Sequence, residues 1–172
     1  MKKILMFSLV VSAILANEKS FAQEDKSKRP SPPDKVSVTT TSGNTITIDY
    51  SKPSVKGRAI GKDLAPYGKV WRTGANEATT FEITKDAKVQ GKPLPKGKYS
   101  LYTIPTEKTW TIIFNKTWKQ WGTVYNEAED ALRVTADAGK SSQFTEQMTF
   151  QVAKDGKVTL MWGNTELGFM VK

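Results

Sequence analysis

Between residues 36 and 171, apolar side chains return at every second position in one short run after another, and nothing else in this chain narrows its fold so far. Val36 and Val38 open the pattern, and Ile46, Ile48 and Tyr50 then alternate with Thr45, Thr47 and Asp49. It recurs in Phe81 and Ile83, in Trp110, Ile112 and Phe114, in Leu132, Val134 and Ala136, and in Met148, Phe150 and Val152. Val158, Leu160 and Trp162, followed by Leu167, Phe169 and Val171, complete it. Successive side chains of a strand point to opposite faces, so a period of two marks a strand with one buried face. Turn-forming residues separate the runs at Ser42-Gly43-Asn44, Gln90-Gly91, Lys96-Gly97, Asp155-Gly156 and Gly163-Asn164. No window sustains helical spacing, and only 126–132 has room for one short helical turn. Many short strands predict an all-β antiparallel domain. Its form is a two-sheet sandwich (jelly-roll-like or Greek-key) or a partly open barrel.

The first residues follow another logic. Lys2 and Lys3 precede an apolar run over 4–16, and Ser20 and Ala22 set small residues around a cut before Gln23. The run is shorter than the roughly 20 residues that span a bilayer, and no later stretch approaches that length. The expectation is a signal peptide over 1–22 and an exported protein, periplasmic or extracellular, with no transmembrane segment in the mature chain. Residues 23–35, QEDKSKRPSPPDK, carry charge and proline without one large apolar side chain. They read as a flexible linker, which leaves a single domain over 36–172.

The residue inventory removes most catalytic chemistry. The chain has no histidine and no cysteine. Ser-His-Asp and Cys-His nucleophiles, ordinary zinc sites, thiol redox and cysteine-held clusters are therefore all excluded. No calcium loop, phosphate-binding glycine loop or dinucleotide fingerprint occurs, so no cofactor or metal is expected. Carboxylate chemistry remains, with Asp49, Glu77 and Glu82 inside β structure. The formal net charge of +9 suits an anionic partner, yet the lysines are dispersed without a run of five. A solvated basic surface accounts for them, and nucleic acid is not an expected partner.

The segment 64–81, LAPYGKVWRTGANEATTF, breaks the alternation and gathers Trp71, Arg72, Gly74, Asn76 and Glu77. Val70 and Arg72 share parity, as do Glu77, Phe81 and Ile83, so burial of the apolar members would turn Arg72 and Glu77 inward. Across Gly74 the two charges could then meet as an ion pair. Such a pair would fix the strand order, or the polar cluster would bind a ligand. Trp110 and Trp162 share parity with aliphatic neighbours and read as core. Trp118 and Trp121 stand in a loop beside Lys119 and Gln120, where flat rings next to amides suit stacking on sugar faces. Capping an open sheet edge is the competing reading for Trp121.

YSKPSVKGRAIG, LAPYGKVWRTGANEATTFEI, LPKGKYSLYTIP, WTIIFNK and QWG together resemble the domain-of-unknown-function 2911 family of exported bacterial proteins. The likeness covers roughly residues 48–134. The family has no established activity, so it implies compartment and domain type and transfers no catalytic residue.

Three functional readings stay open. One is a non-catalytic module binding a small anionic molecule or glycan near Trp71, Arg72, Asn76, Glu77, Trp118 and Trp121. The second is a carboxylate-dependent polysaccharide hydrolase, which requires a pocket at Glu77 with a second carboxylate nearby. The third is a structural or protein-interaction domain, which a closed Arg72–Glu77 bridge without a pocket would favour. The sequence leaves the oligomeric state open.

Overall fold

The computed structural model describes residues 25–172, so the expected signal segment and Gln23 lie outside the described residues. Within them the alternation becomes nine strands: β1 (Pro33–Thr39), β2 (Thr45–Ser51), β3 (Thr80–Ile83), β4 (Ala87–Val89), β5 (Lys92–Leu94), β6 (Gly97–Pro105), β7 (Thr109–Asn115), β8 (Asp130–Val152) and β9 (Lys157–Met170). Seven of them form one antiparallel sheet in the order β1-β2-β3-β6-β7-β8-β9, while β4 and β5 make a separate hairpin turned at Gln90-Gly91. The large sheet curls until its ends approach. Just past β2, Ser54 bridges Gln147 of β8, and the Tyr50 hydroxyl accepts the Phe150 N–H at 3.1 Å. The small hairpin closes over the chain end through the Val89–Val171 bridge. The all-β antiparallel expectation is met in its partly open barrel form.

The concave face holds the core. Ile46, Ile48, Phe81, Ile83, Leu101, Ile112, Phe114, Val158 and Leu160 are almost wholly buried there, at the positions the alternation marks. Phe114 meets Phe81 edge-on at 5.0 Å and Phe169 at 6.1 Å, an arrangement that suits the ring quadrupoles. Trp110 and Trp162 are core residues, as their parity predicts.

Three expectations need correction. The runs 132–136 and 148–152 are not separate strands but the two ends of β8, which pairs first with β7 and then with β9. Register shifts between Lys140 and Thr145, and again before Thr149, bend β8 between its two partners. Gly163-Asn164 is likewise no turn: Gly163, at φ 57°, pairs with Thr145 inside β9. The linker boundary also moves. β1 begins at Pro33, where a strand first in the sheet order can spare an N–H. Upstream, Lys26–Lys28 form a 3₁₀ turn whose Asp25 cap accepts the Ser27 N–H at 3.1 Å. The short helical turn expected near 126 is the 3₁₀ turn Glu127–Glu129.

Two irregular stretches leave the sheet and lie against each other: 52–79, between β2 and β3, and 116–126, after β7. They build the site.

Candidate functional site

The segment 71–79 is tied down without being a strand. Trp71 exchanges backbone hydrogen bonds with Thr103 of β6 at 2.7 and 2.9 Å, and Glu77 bridges Trp121. Between these ties Thr73 (φ 51°) and Asn76 (φ 59°) take left-handed backbone. That conformation is an outlier for a β-branched residue and stores about 1–3 kcal/mol. The Thr73 hydroxyl donates to Thr103 Oγ1 at 3.1 Å and the Thr73 carbonyl accepts from Thr79 at 2.8 Å, which holds the kink in place. Gly74 is buried beneath it, where a Cβ would sit 2.6 Å from the Thr79 hydroxyl. Two reversals within four residues destroy the parity on which an inward Arg72–Glu77 pair was expected. Val70 is exposed, and the two charges leave on different sides of the segment.

Glu77 opens into a groove of about 520 Å³ on the polar face of β1, β2, β3 and β6. Its carboxylate receives Lys26 Nζ at 2.7 Å and the Arg29 guanidinium at 2.9 Å. The Lys26 ammonium, joined by a backbone N–H and Arg29 and opposed by partial burial, holds the Glu77 pKa down to about 2. Across the groove Asp49 pairs with Lys35 at 3.0 Å and Lys98 at 3.7 Å. Asp34 pairs with Lys52 at 3.2 Å and accepts the Tyr50 hydroxyl at 3.1 Å. Burial pushes the Asp34 carboxyl up, but the Lys35 N–H, Lys52 and Tyr50 together outweigh it and leave its pKa lowered. Burial raises the Tyr50 hydroxyl to about 12. Trp118 stands at the wall with Lys98 Nζ 5.0 Å from its ring centre, and Lys119 and Gln120 follow it. The Thr80 hydroxyl, among the lining groups, is buried without a hydrogen-bond partner.

Arg72 opens into a second cavity of about 460 Å³, walled by Trp71, Tyr102, Tyr125, Val70, Thr123 and Gly122. Trp71 is stacked on Trp162 at 5.1 Å with the planes 5° apart, and meets Trp110 edge-on at 6.2 Å. Tyr102 and Tyr125 lie with ring centres 4.9 Å apart. The Tyr125 hydroxyl donates to Asp130 at 2.7 Å and accepts from Arg133 at 2.7 Å; burial, then Asp130, raises it to about 12. Gly122 permits the guanidinium arm to pass, since a Cβ there would lie 2.5 Å from Arg72 Cδ. The loop 116–126 serves both cavities. Ala78 N–H donates to the Gln120 carbonyl at 3.1 Å, Gly122 N–H to the Asn76 carbonyl at 3.0 Å, and the Gln120 amide to the Tyr102 hydroxyl at 3.0 Å.

Apart from Lys26, every residue that lines the two cavities falls inside one continuous match: the family described as protein of unknown function (DUF2911) matches residues 31–171. The chain belongs to that family. No curated protein and no solved structure matches it.

In this DUF2911 chain the residues singled out from the sequence separate into three groups. Trp71 and Arg72 line the smaller cavity, and Glu77 and Trp118 line the groove. Asn76 and Trp121 line neither. Asn76 donates its amide to the Ser31 carbonyl at 3.0 Å, and Trp121, about half exposed, lends its backbone to Glu77. The expected Arg72–Glu77 pair is absent, because Lys26 and Arg29 take the carboxylate. Asp49, named from the sequence as a carboxylate inside β structure, lines the groove, whereas Asp34, Lys98, Tyr102 and Tyr125 were not singled out. Tyr102 did carry a signal: it is an aromatic ring on the polar parity of β6. Among the described residues no group of three acidic side chains gathers closely enough to hold a metal ion.

Proposed function

We propose that this protein is a non-catalytic binding module of the cell envelope, and that its groove takes a glycan or another polyhydroxylated small molecule. The observation that carries the reading is Trp118: a partly exposed ring on the wall of a groove that also carries carboxylates, ammoniums and an amide among apolar side chains. A sugar offers an apolar face for such a ring and hydroxyls that both donate and accept, which matches walls of mixed sign.

Two observations weigh against the other readings. Glycoside hydrolysis needs one carboxyl kept protonated near neutral pH, beside one ionised. Asp34 and Glu77 are both shifted the opposite way, and Asp49 is held by two lysines. A purely structural role called for a closed Arg72–Glu77 bridge without a pocket, whereas each residue faces its own cavity. Export rests on the N-terminal pattern: Lys2-Lys3, the apolar run and the small residues before Gln23. Intact mass of protein recovered from its native compartment is expected to give a chain starting at Gln23.

The binding test is calorimetric titration with soluble oligosaccharides cut from bacterial envelope polysaccharides. Saturable binding is expected, weakened at least about tenfold (~1.4 kcal/mol) in Trp118→Ala. Absence of saturable binding across that set, or binding indifferent to Trp118→Ala and Asp49→Asn, overturns the reading.

A further inference from the structure

The smaller cavity has a chemistry that the groove reading leaves unused. Among its lining residues Arg72 alone is charged, and no carboxylate joins it. Among the described residues its one hydrogen-bond partner is the Gly74 carbonyl, at 3.4 Å from Nε. Among the described residues no carboxylate pairs with it, so both terminal nitrogens of the fork are unclaimed by protein. The neighbouring hydroxyls cannot substitute for an acid. Tyr125 is committed to Asp130 and Arg133, and Tyr102 donates to the Val124 carbonyl while accepting from Gln120. Arg133 itself is neutralised by Asp130 and Glu127.

The fork is also built into place. Gly122 clears its path, Trp71 beside it is braced by Trp162, and the loop that carries Gly122 is bonded to Asn76. A guanidinium with free terminal donors matches a carboxylate bidentately, and a fixed fork gains more from that match than a mobile one. The rest of the wall is three aromatic residues, Val70, Gly122 and Thr123, so the body behind the anion should be mainly apolar or aromatic.

We propose that the Arg72 cavity is a second binding site, separate from the groove, for a small carboxylic acid with an aromatic or apolar body. The acid group meets the Arg72 fork and the body lies among Trp71, Tyr102 and Tyr125. This site does not depend on the groove binding anything, and either can fail without the other.

The test uses benzoate as the probe and benzamide as its uncharged counterpart, added to ¹⁵N-labelled protein and followed by NMR. Benzoate is expected to give saturable shifts at the Arg72 Nε–H and at the Gly122 and Thr123 amides, with the Lys35 and Asp49 amides still. Benzamide is expected to bind at least about tenfold more weakly, and Arg72→Gln to weaken benzoate by a similar factor. Equal shifts from benzamide on the wild-type protein, non-saturating shifts, or shifts confined to the groove would each overturn the proposal. The benzoate–benzamide comparison needs no variant and decides the matter even if Arg72→Gln does not fold.

Discussion

The two cavities lie on either side of one short segment, differ little in volume, and are opposite in what they leave unsatisfied. The groove is crowded with charge, yet among the described residues all its lining charges except the exposed Lys119 answer one another: Asp49 with Lys35 and Lys98, Asp34 with Lys52, and Glu77 with Lys26 and Arg29. The Arg72 cavity has a single charge and nothing to answer it. Counting ionisable residues would rank the groove as the anion site, and the hydrogen-bond partners rank it second. What a wall offers a ligand is its unused capacity, since groups already paired must first be unpaired.

The most damaging way to break this comparison is to remove what stands behind one wall. Trp162 is buried and stacked on Trp71, so Trp162→Ala is expected to cost about 3–5 kcal/mol in denaturant melts. It should also loosen the Arg72 cavity while groove ligands still bind. Gly74→Ala strikes the shared segment instead. Its Cβ meets the Thr79 hydroxyl and the Ser51 carbonyl, for an expected loss of about 1–3 kcal/mol that disturbs both cavities together. Trp118→Ala should cost less stability than Trp162→Ala, because the ring is only partly buried, and should act on groove binding alone.

Acid sharpens the contrast further. The Glu77 carboxyl titrates at about 2 when paired, below its ordinary 4.5. Its hold on Lys26 and Arg29 is therefore complete above pH 4.5 and is lost as pH falls through about 2. The protection of the Ser27 and Lys28 amides, relative to their intrinsic exchange rates, should fall across that window, and in Glu77→Gln it should be low already at neutral pH. The lining of the Arg72 cavity has no carboxylate to titrate there. The smallest expected effect is the most discriminating. In a double-mutant cycle of Arg72→Met and Glu77→Gln the losses should add within about 0.3–0.5 kcal/mol, because the two residues share no partner. Strong coupling in that cycle would restore the direct pair that the sequence invites.

That invitation shows where sequence reasoning stopped. Ile46, Ile48, Phe81, Ile112 and Phe114 were legible as core because each strand repeats one local rule, and the rule survives folding. Thr73 and Asn76 obey no local rule: a threonine at positive φ is chosen by Thr103 and Thr79, which lie on other elements. Once those two residues reverse the backbone, parity cannot say where Arg72 and Glu77 point. The partners of Glu77 were hidden for a different reason. Lys26 and Arg29 sit in a stretch whose composition reads as linker, and composition does not register a carboxylate waiting some fifty residues on. β8 was divided for a similar cause, since its register shifts are set by β9 and leave no mark on its own residues.

The long strand β8 has one more consequence, for time and not for shape. The N–H of Phe150 finds the Tyr50 hydroxyl across a sequence separation of 100 residues, and Ser54 waits nearly as long for Gln147. Contacts of such high order must be reached by diffusion of a long loop before they return any free energy, which slows folding. Until β8 exists, β2 is paired with β1 and β3, but the Tyr50 and Ser54 contacts that close the sheet cannot form. Handling this chain before its last third is made therefore means handling an open sheet, and the ring of Tyr50 reports when it has closed.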